Sequence, residues 1–295
     1  MIKSKGERIG QVLLNFFVVL LCLCIILPFI LVVSVSLSNE KDIILGGYKF
    51  IPENIDFSAY KYVFRNPKSI LDAYKVTTVF SLLTMVLSLL CTSLAAWPLT
   101  RKSLKCRNKI SFYFYFTMLF SGGLVPTYIL YTQYLNLDDT IWVYILPALV
   151  NPWYLFMVRT FFADIPEAII ESAYIDGANE YTIFFRFVLP LSKPVLATIA
   201  LFVFLGKWND WYTSMLYINK ENLVSLQYLL QRIMKNLEAL QNASMMGSTI
   251  VNSADIPSET TRMAMAIVVA GPVLVIFPFF QKYFVRGMTV GSVKG

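Results

Sequence analysis

Histidine is absent from the 295 residues of the chain. That excludes Ser-His-Asp and Cys-His nucleophilic chemistry and every histidine-based metal site. Cysteine is scarce. Cys22, Cys24 and Cys91 lie in apolar runs and Cys106 in a basic loop. Their spacing matches no zinc pattern and suggests no disulfide framework, so they read as small apolar fillers. No G-x-x-x-x-G-K-[ST] phosphate loop occurs, so the chain lacks that means of cradling a nucleotide. Charge is also sparse, at 15% of residues against 57% hydrophobic, where soluble domains carry about a quarter charged. From these gaps the expectation is no catalytic residue, no metal and no cofactor held by this chain.

What is present is apolar length. Six segments approach the ~20 apolar residues a bilayer crossing needs. They run from about Gln11 to Val35, Ala73 to Leu99, Ile110 to Tyr131, Ile141 to Phe162, Val195 to Tyr217, and Met263 to Phe280. The fold class expected is therefore all-α and polytopic. Lys3, Lys5 and Arg8 before the first run resemble a signal peptide's basic region, but the run is too long and no small-residue cleavage pattern follows.

The net charge of +7 sits between the apolar runs, which the positive-inside rule explains better than nucleic-acid binding. Arg101, Lys102, Lys105, Arg107 and Lys109 lie between spans two and three without an acid. Lys282, Arg286 and Lys294 follow span six, while Asp138 and Asp139 sit between spans three and four without a base. Both termini are expected on the cytoplasmic side. The stretch from Asn39 to Asp72 runs against this, with Lys41, Lys49, Lys61, Arg65 and Lys68 on the expected outer side.

Two spans contain irregular residues. Span three holds Ser121-Gly122-Gly123 and Pro126, which weaken or kink a helix. In lipid the freed backbone groups must face protein or water, though close packing through small residues also accounts for them. Span five carries Lys207, Trp208, Asn209, Asp210 and Trp211. Lys207 and Asp210 share a helical face and are able to pair. They fit either an interfacial anchor or a pathway lining.

The segment from Asp164 to Pro194 is the most informative. Asp164 suits a helix N-cap, with Pro166 in the first turn and helix to about Ile175. Gly177 suits the left-handed residue that ends a helix, and Asn179 a cap for a second one. There Tyr181, Phe184, Phe185, Val188 and Leu189 are expected on one face, with Pro190 ending the helix. Periodicity alone allows either a helix lying on the membrane or a docking element for a soluble partner.

The residue pattern favours docking. Glu171-Ser172-Ala173, Asp176-Gly177-Ala178 and Leu189-Pro190 resemble the EAA loop of ABC importer permeases, with Ser172 and Phe187 departing conservatively from it. The runs Phe120 to Tyr128 and Phe277 to Gly295 resemble the LplC/YtcP-type polysaccharide branch of the maltose-transporter-like carbohydrate permeases, and Trp208-Asn209-Asp210 resembles a recurring sugar-permease feature. The resemblance implies a type I importer fold with six transmembrane helices and a cytoplasmic two-helix coupling loop. It implies a second permease subunit, two ATPase subunits that bind ATP and Mg, and an extracellular sugar-binding lipoprotein.

On that basis residues 1-10 are a cytoplasmic tail, 11-72 the first span and an extracellular loop, 73-282 the core permease with coupling loop 164-194, and 283-295 a cytoplasmic tail meeting the ATPases. Glu171, Ser172, Ala173, Asp176, Gly177, Ala178, Leu189 and Pro190 are the expected ATPase-coupling residues. Tyr128, Asn151, Trp153, Trp208, Asn209 and Trp211 are candidate pathway residues, since sugars favour aromatic faces with polar neighbours. The outer loop 218-261 reads as a meeting place for the binding protein or as a connector, with 227-240 able to form a helix. The competing readings are a secondary transporter, which predicts inverted repeats and buried acids, a membrane-embedded enzyme, and an ABC permease for a non-sugar substrate.

Overall fold

A computed structural model describes residues 5–245 and 258–291. The first helix, α1 (Lys5–Ser36), is followed by short helices α2 (Glu40–Gly46) and α3 (Ser58–Val63) and then by the long α4 (Pro67–Thr100). Next come α5 (Arg107–Leu119), α6 (Leu124–Ile129), α7 (Trp142–Ile145), α8 (Pro152–Ala163), α9 (Glu167–Ile175), α10 (Glu180–Ile183) and α11 (Leu189–Leu191). The chain continues through α12 (Lys193–Trp208), α13 (Tyr212–Tyr217), α14 (Leu226–Met245) and α15 (Glu259–Gly291). Among the described residues there is no strand, only an isolated bridge between Ser38 and Ile55.

Three stretches are long and apolar enough to cross a bilayer unbroken: Gly10–Ser36, Pro67–Thr100 and Glu259–Pro278. Among the described residues three bent pairs bring the number to at most six, but the third joins Glu180–Leu191 to Lys193–Trp208 at 78° and so takes in the second coupling helix rather than the expected stretch from Val195 to Tyr217. The breaks differ from that expectation. Span three is two helical pieces, Arg107–Leu119 and Leu124–Tyr134, meeting at 114°. Gly123 sits at the turn with φ of +84°, where a side chain would strain the backbone. Span four bends by 48° between Trp142–Ala148 and Pro152–Ala163. Helix α12 stops at Trp208, well short of Tyr217. Asn209 turns its side-chain amide back onto the Leu205 carbonyl (2.8 Å), and Asp210 then receives the Thr213 amide (3.0 Å) to start the next helix. Local side-chain bonds of this kind compete with helix continuation.

The chain divides into two compact units, residues 1–67 with 230–272, and residues 68–229 with 273–295. In the first, the buried Glu40 carboxylate accepts the Glu259 and Thr260 amides (2.9 Å each) and the Thr260 hydroxyl (2.6 Å). It thus caps the start of α15 from more than two hundred residues away, placing negative charge at the positive end of a helix. In the second unit, α4 buries Thr77, Ser81, Thr84, Ser88 and Thr92 along one face. Small side chains at three- and four-residue spacing let neighbouring helices approach closely. Phe80 of α4 stacks on Tyr144 with centroids 4.2 Å apart, and the Tyr144 hydroxyl donates to the Leu223 carbonyl (3.0 Å).

Candidate functional site

The site is the helix pair joining α8 to α12. Asp164 is not the N-cap of its first helix. It closes α8 instead, and α9 starts behind Pro166, with Glu167 in its first turn. At the other end, the Ala178 amide reaches the Ala173 carbonyl and the Gly177 amide the Tyr174 carbonyl, both at 2.9 Å. These two bonds form a Schellman closure, which needs a left-handed residue between them. Gly177 supplies it with φ of +78°. Two residues later Asn179 caps α10, its side-chain oxygen accepting the Thr182 amide at 2.8 Å.

The second helix departs from the single apolar face expected of it. A π turn over Phe184–Val188 widens the helix before Pro190, and the helix runs on through Pro190 to Leu191. The wider turn changes which side chains line up. Ile183, Phe184 and Val188 point into the core, while Tyr181 and Phe185 face outward. The inward set joins Ile170 and Ala173 of α9 in one cluster with Trp97, Val158, Phe162, Val195 and Ile199. Each fully buried large side chain contributes about 1.5–3 kcal/mol, so the pair is packed onto the ends of α4, α8 and α12.

A polar clamp unforeseen from the sequence adds to that packing. Glu180 accepts Trp97 Nε1 at 3.2 Å and the Tyr174 hydroxyl, and lies 3.8 Å from Arg101 Nε. Arg101 also donates to the Tyr174 hydroxyl (3.1 Å), with its guanidinium 5.0 Å from the Trp97 ring centroid and 5.7 Å from that of Tyr174. Burial, and then the bond to the Glu180 carboxylate, push the Tyr174 pKa above its ordinary value, so the phenol stays a donor. The clamp ties the C-terminal end of α4 to both helices of the pair. The sequence signal was an arginine just past span two and a glutamate one residue after the capping asparagine.

The eight expected coupling residues divide between two surfaces. Ala173 is buried, and Ala178 and Leu189 are half-buried, so they hold the pair in place. Glu171, Ser172, Asp176, Gly177 and Pro190 are exposed. Beside the hinge, Ile175 is 86% exposed and Tyr181 74%. Ile175 and Tyr181 thus form an exposed apolar tip beside the hinge.

The six candidate pathway residues are scattered rather than gathered. Tyr128 stacks on Tyr217 with centroids 5.5 Å apart. Asn151 caps α8 through the Trp153 amide (2.9 Å), leaving the Trp153 ring exposed. Trp208 is buried against Phe204 and Tyr74. Asn209 accepts a bond from Gln227 (2.9 Å), and Trp211 lies edge-on to Tyr212. Lys207 pairs with Asp210 at 2.8 Å, with side chains 17% and 11% exposed. On the neighbouring loop, Asp139 accepts the Asn219 and Lys220 amides. The Lys220 amide is the main reason its carboxyl pKa falls below the usual range. The tail from Arg286 to Gly295 leaves the described residues after Gly291, and its side chains are not described.

No protein-family model matches the chain. It is 38% identical over 293 residues to the polygalacturonan/rhamnogalacturonan transport system permease protein YtcP of Bacillus subtilis, covering 98% of this chain and 99% of that one. It is 36% identical over 270 residues to protein LplC of the same organism, covering 92% and 90% respectively. Among solved structures, it superposes on a chain of a bacterial ABC transporter involved in importing the acidic polysaccharide alginate, with a TM-score of 0.79, 28% identity, and coverage of 96% of this chain and 99% of that one. The hinged loop, the helical fold and these whole-length matches agree, and the chain belongs to the carbohydrate-type permease subunits of ABC importers, in the polysaccharide branch that includes LplC and YtcP.

Proposed function

We propose that this permease forms half of the pathway by which a bacterium imports oligosaccharides or polysaccharide fragments, driven by ATP bound with Mg on separate ATPase subunits. The observation that carries the coupling part is the α9–α10 hinge, which presents an apolar tip at Ile175 beside Gly177 while Glu180 clamps the pair to α4. A push on the tip then moves the helix ends rather than only the loop. The other half of the pathway is a second permease. It also accounts for the broken span three, whose Ser121, Gly122 and Gly123 are exposed on this chain. Irregular backbone at membrane depth needs protein or water beside it.

The remaining assignments are that both termini and the hinge face the cytoplasm, that the chain lies in the cell membrane, and that an extracellular lipoprotein delivers the sugar. Within the pathway, Tyr128 and Trp153 are the candidate residues with exposed rings. The sugar reading is supported by relatives named for galacturonan, arabinooligosaccharide and galactooligosaccharide transport. Proteoliposomes holding the full assembly, offered a panel of labelled galacturonan, alginate and neutral oligosaccharides, should accumulate at least one class only with ATP. Uptake driven by an ion gradient without an ATPase would identify a secondary transporter instead.

A further inference from the structure

A second cavity adjoins the coupling pair and shares Trp97 and Arg101 with the clamp. It measures about 520 Å³ and is walled by Arg101, Lys102, Arg107 and Arg159, with Glu167 as its one carboxylate and Ser103 at its side. Arg101 is engaged by Glu180 and the Tyr174 hydroxyl, which leaves Lys102, Arg107 and Arg159 around a space whose one carboxylate is Glu167. Arg159 spends one nitrogen on the Ser111 hydroxyl (3.0 Å). Arg107 opens α5, whose first turn no side chain caps. Guanidinium forks suit the oxygens of a phosphate.

The surroundings say which phosphate. Leaving the cavity, α5 turns out Phe112, Tyr113, Tyr115, Phe116 and Leu119, each between 45% and 66% exposed. A charged pocket at the end of a helix with a wide apolar face matches a phospholipid, with the headgroup in the cavity and the acyl chains along the helix. We propose that this cavity is a binding site for an anionic phospholipid headgroup. Glu167 and Ile170 of α9 form part of its wall, so an occupied site would stiffen the coupling pair from the side opposite the hinge. The inference requires only membrane insertion and is independent of the transported substrate.

The test is native mass spectrometry on the full-length chain in detergent, titrated with phosphatidylglycerol and with phosphatidylcholine of equal chain length. The prediction is preferential phosphatidylglycerol binding, weakened about fivefold for each cation removed. Lys102→Gln with Arg107→Gln should therefore lose about thirtyfold, while Arg107→Lys should retain most of the binding. Hydrogen exchange over residues 167–175 should slow when the anionic lipid is added, which also reads the variants if they are less stable. Equal binding of the two lipids, or unchanged binding in the double variant, would overturn the proposal. So would displacement of the lipid by millimolar inorganic phosphate, which would mark the site as one for soluble anions, or by an added ATPase subunit, which would assign the cavity to a protein partner.

Discussion

Replacing Glu180 by alanine tests the clamp that holds the α9–α10 pair to the end of α4. The substitution removes three contacts together: the 3.2 Å bond from Trp97 Nε1, the bond from the Tyr174 hydroxyl, and the 3.8 Å approach of Arg101 Nε. The ion pair contributes under about 1 kcal/mol, because the Glu180 side chain is 50% exposed and water screens it. The larger loss is at Trp97, only 6% exposed, whose N–H is left without an acceptor at a cost of about 1–2 kcal/mol. A total near 2 kcal/mol corresponds to about thirtyfold more frequent local opening. Hydrogen exchange at the Gly177 and Ala178 amides, which close the Schellman turn, reads that opening directly. Glu180→Gln keeps one acceptor oxygen for Trp97 Nε1 and turns its NH2 toward the Tyr174 hydroxyl, which can accept from it, so its exchange should rise less than about fivefold. Exchange within twofold of the parent in the alanine variant would refute the clamp, because packing alone would then hold the pair.

Three further outcomes follow from the same contacts. Asp210→Asn should leave Lys207 charged, poorly exposed and without its partner, at a cost of about 3–5 kcal/mol; adding Lys207→Met should recover much of the lost thermal stability. Glu40→Ala strips the cap from α15 and strands the Glu259 and Thr260 amides, so limited proteolysis near residue 258 should accelerate with a loss of about 2 kcal/mol or more. Asp139 has a lowered folded pKa, so its contribution is complete above the unfolded value and disappears as the pH falls through the folded one. Protection of the Asn219 and Lys220 amides should therefore persist at pH 6 and weaken well below the usual carboxylate range, and Asp139→Asn should reduce it at pH 6 but make little difference once the parent carboxylate is protonated.

Six spans and the glycine hinge were legible from the sequence because both are written locally, in apolar length and in a single residue type at a helix end. Gly177 and Asn179 act as their positions suggest. The face of the second helix departs from a 3.6-residue period because Phe184–Val188 form a π turn: Ile183, Phe184 and Val188 go inward, while Tyr181 and Phe185 stay exposed. Aspartate favours a helix start, but at position 164 it closes the preceding helix instead. The clamp and the Glu40 cap stayed hidden because their partners lie about eighty and two hundred residues away, which no local pattern reveals.

Purifying the tagged chain from cells that also make its ATPase measures the coupling claim most directly. Apart from its chain neighbours, a Cβ on Gly177 would meet no atom of the described residues within 4 Å, so Gly177→Asp projects bulk and charge outward at about 1–2 kcal/mol of backbone strain. The account predicts that the ATPase accompanies the parent chain in fixed ratio and is lost from a folded Gly177→Asp variant. An ATPase retained in full by that variant, or absent from the parent, would contradict it.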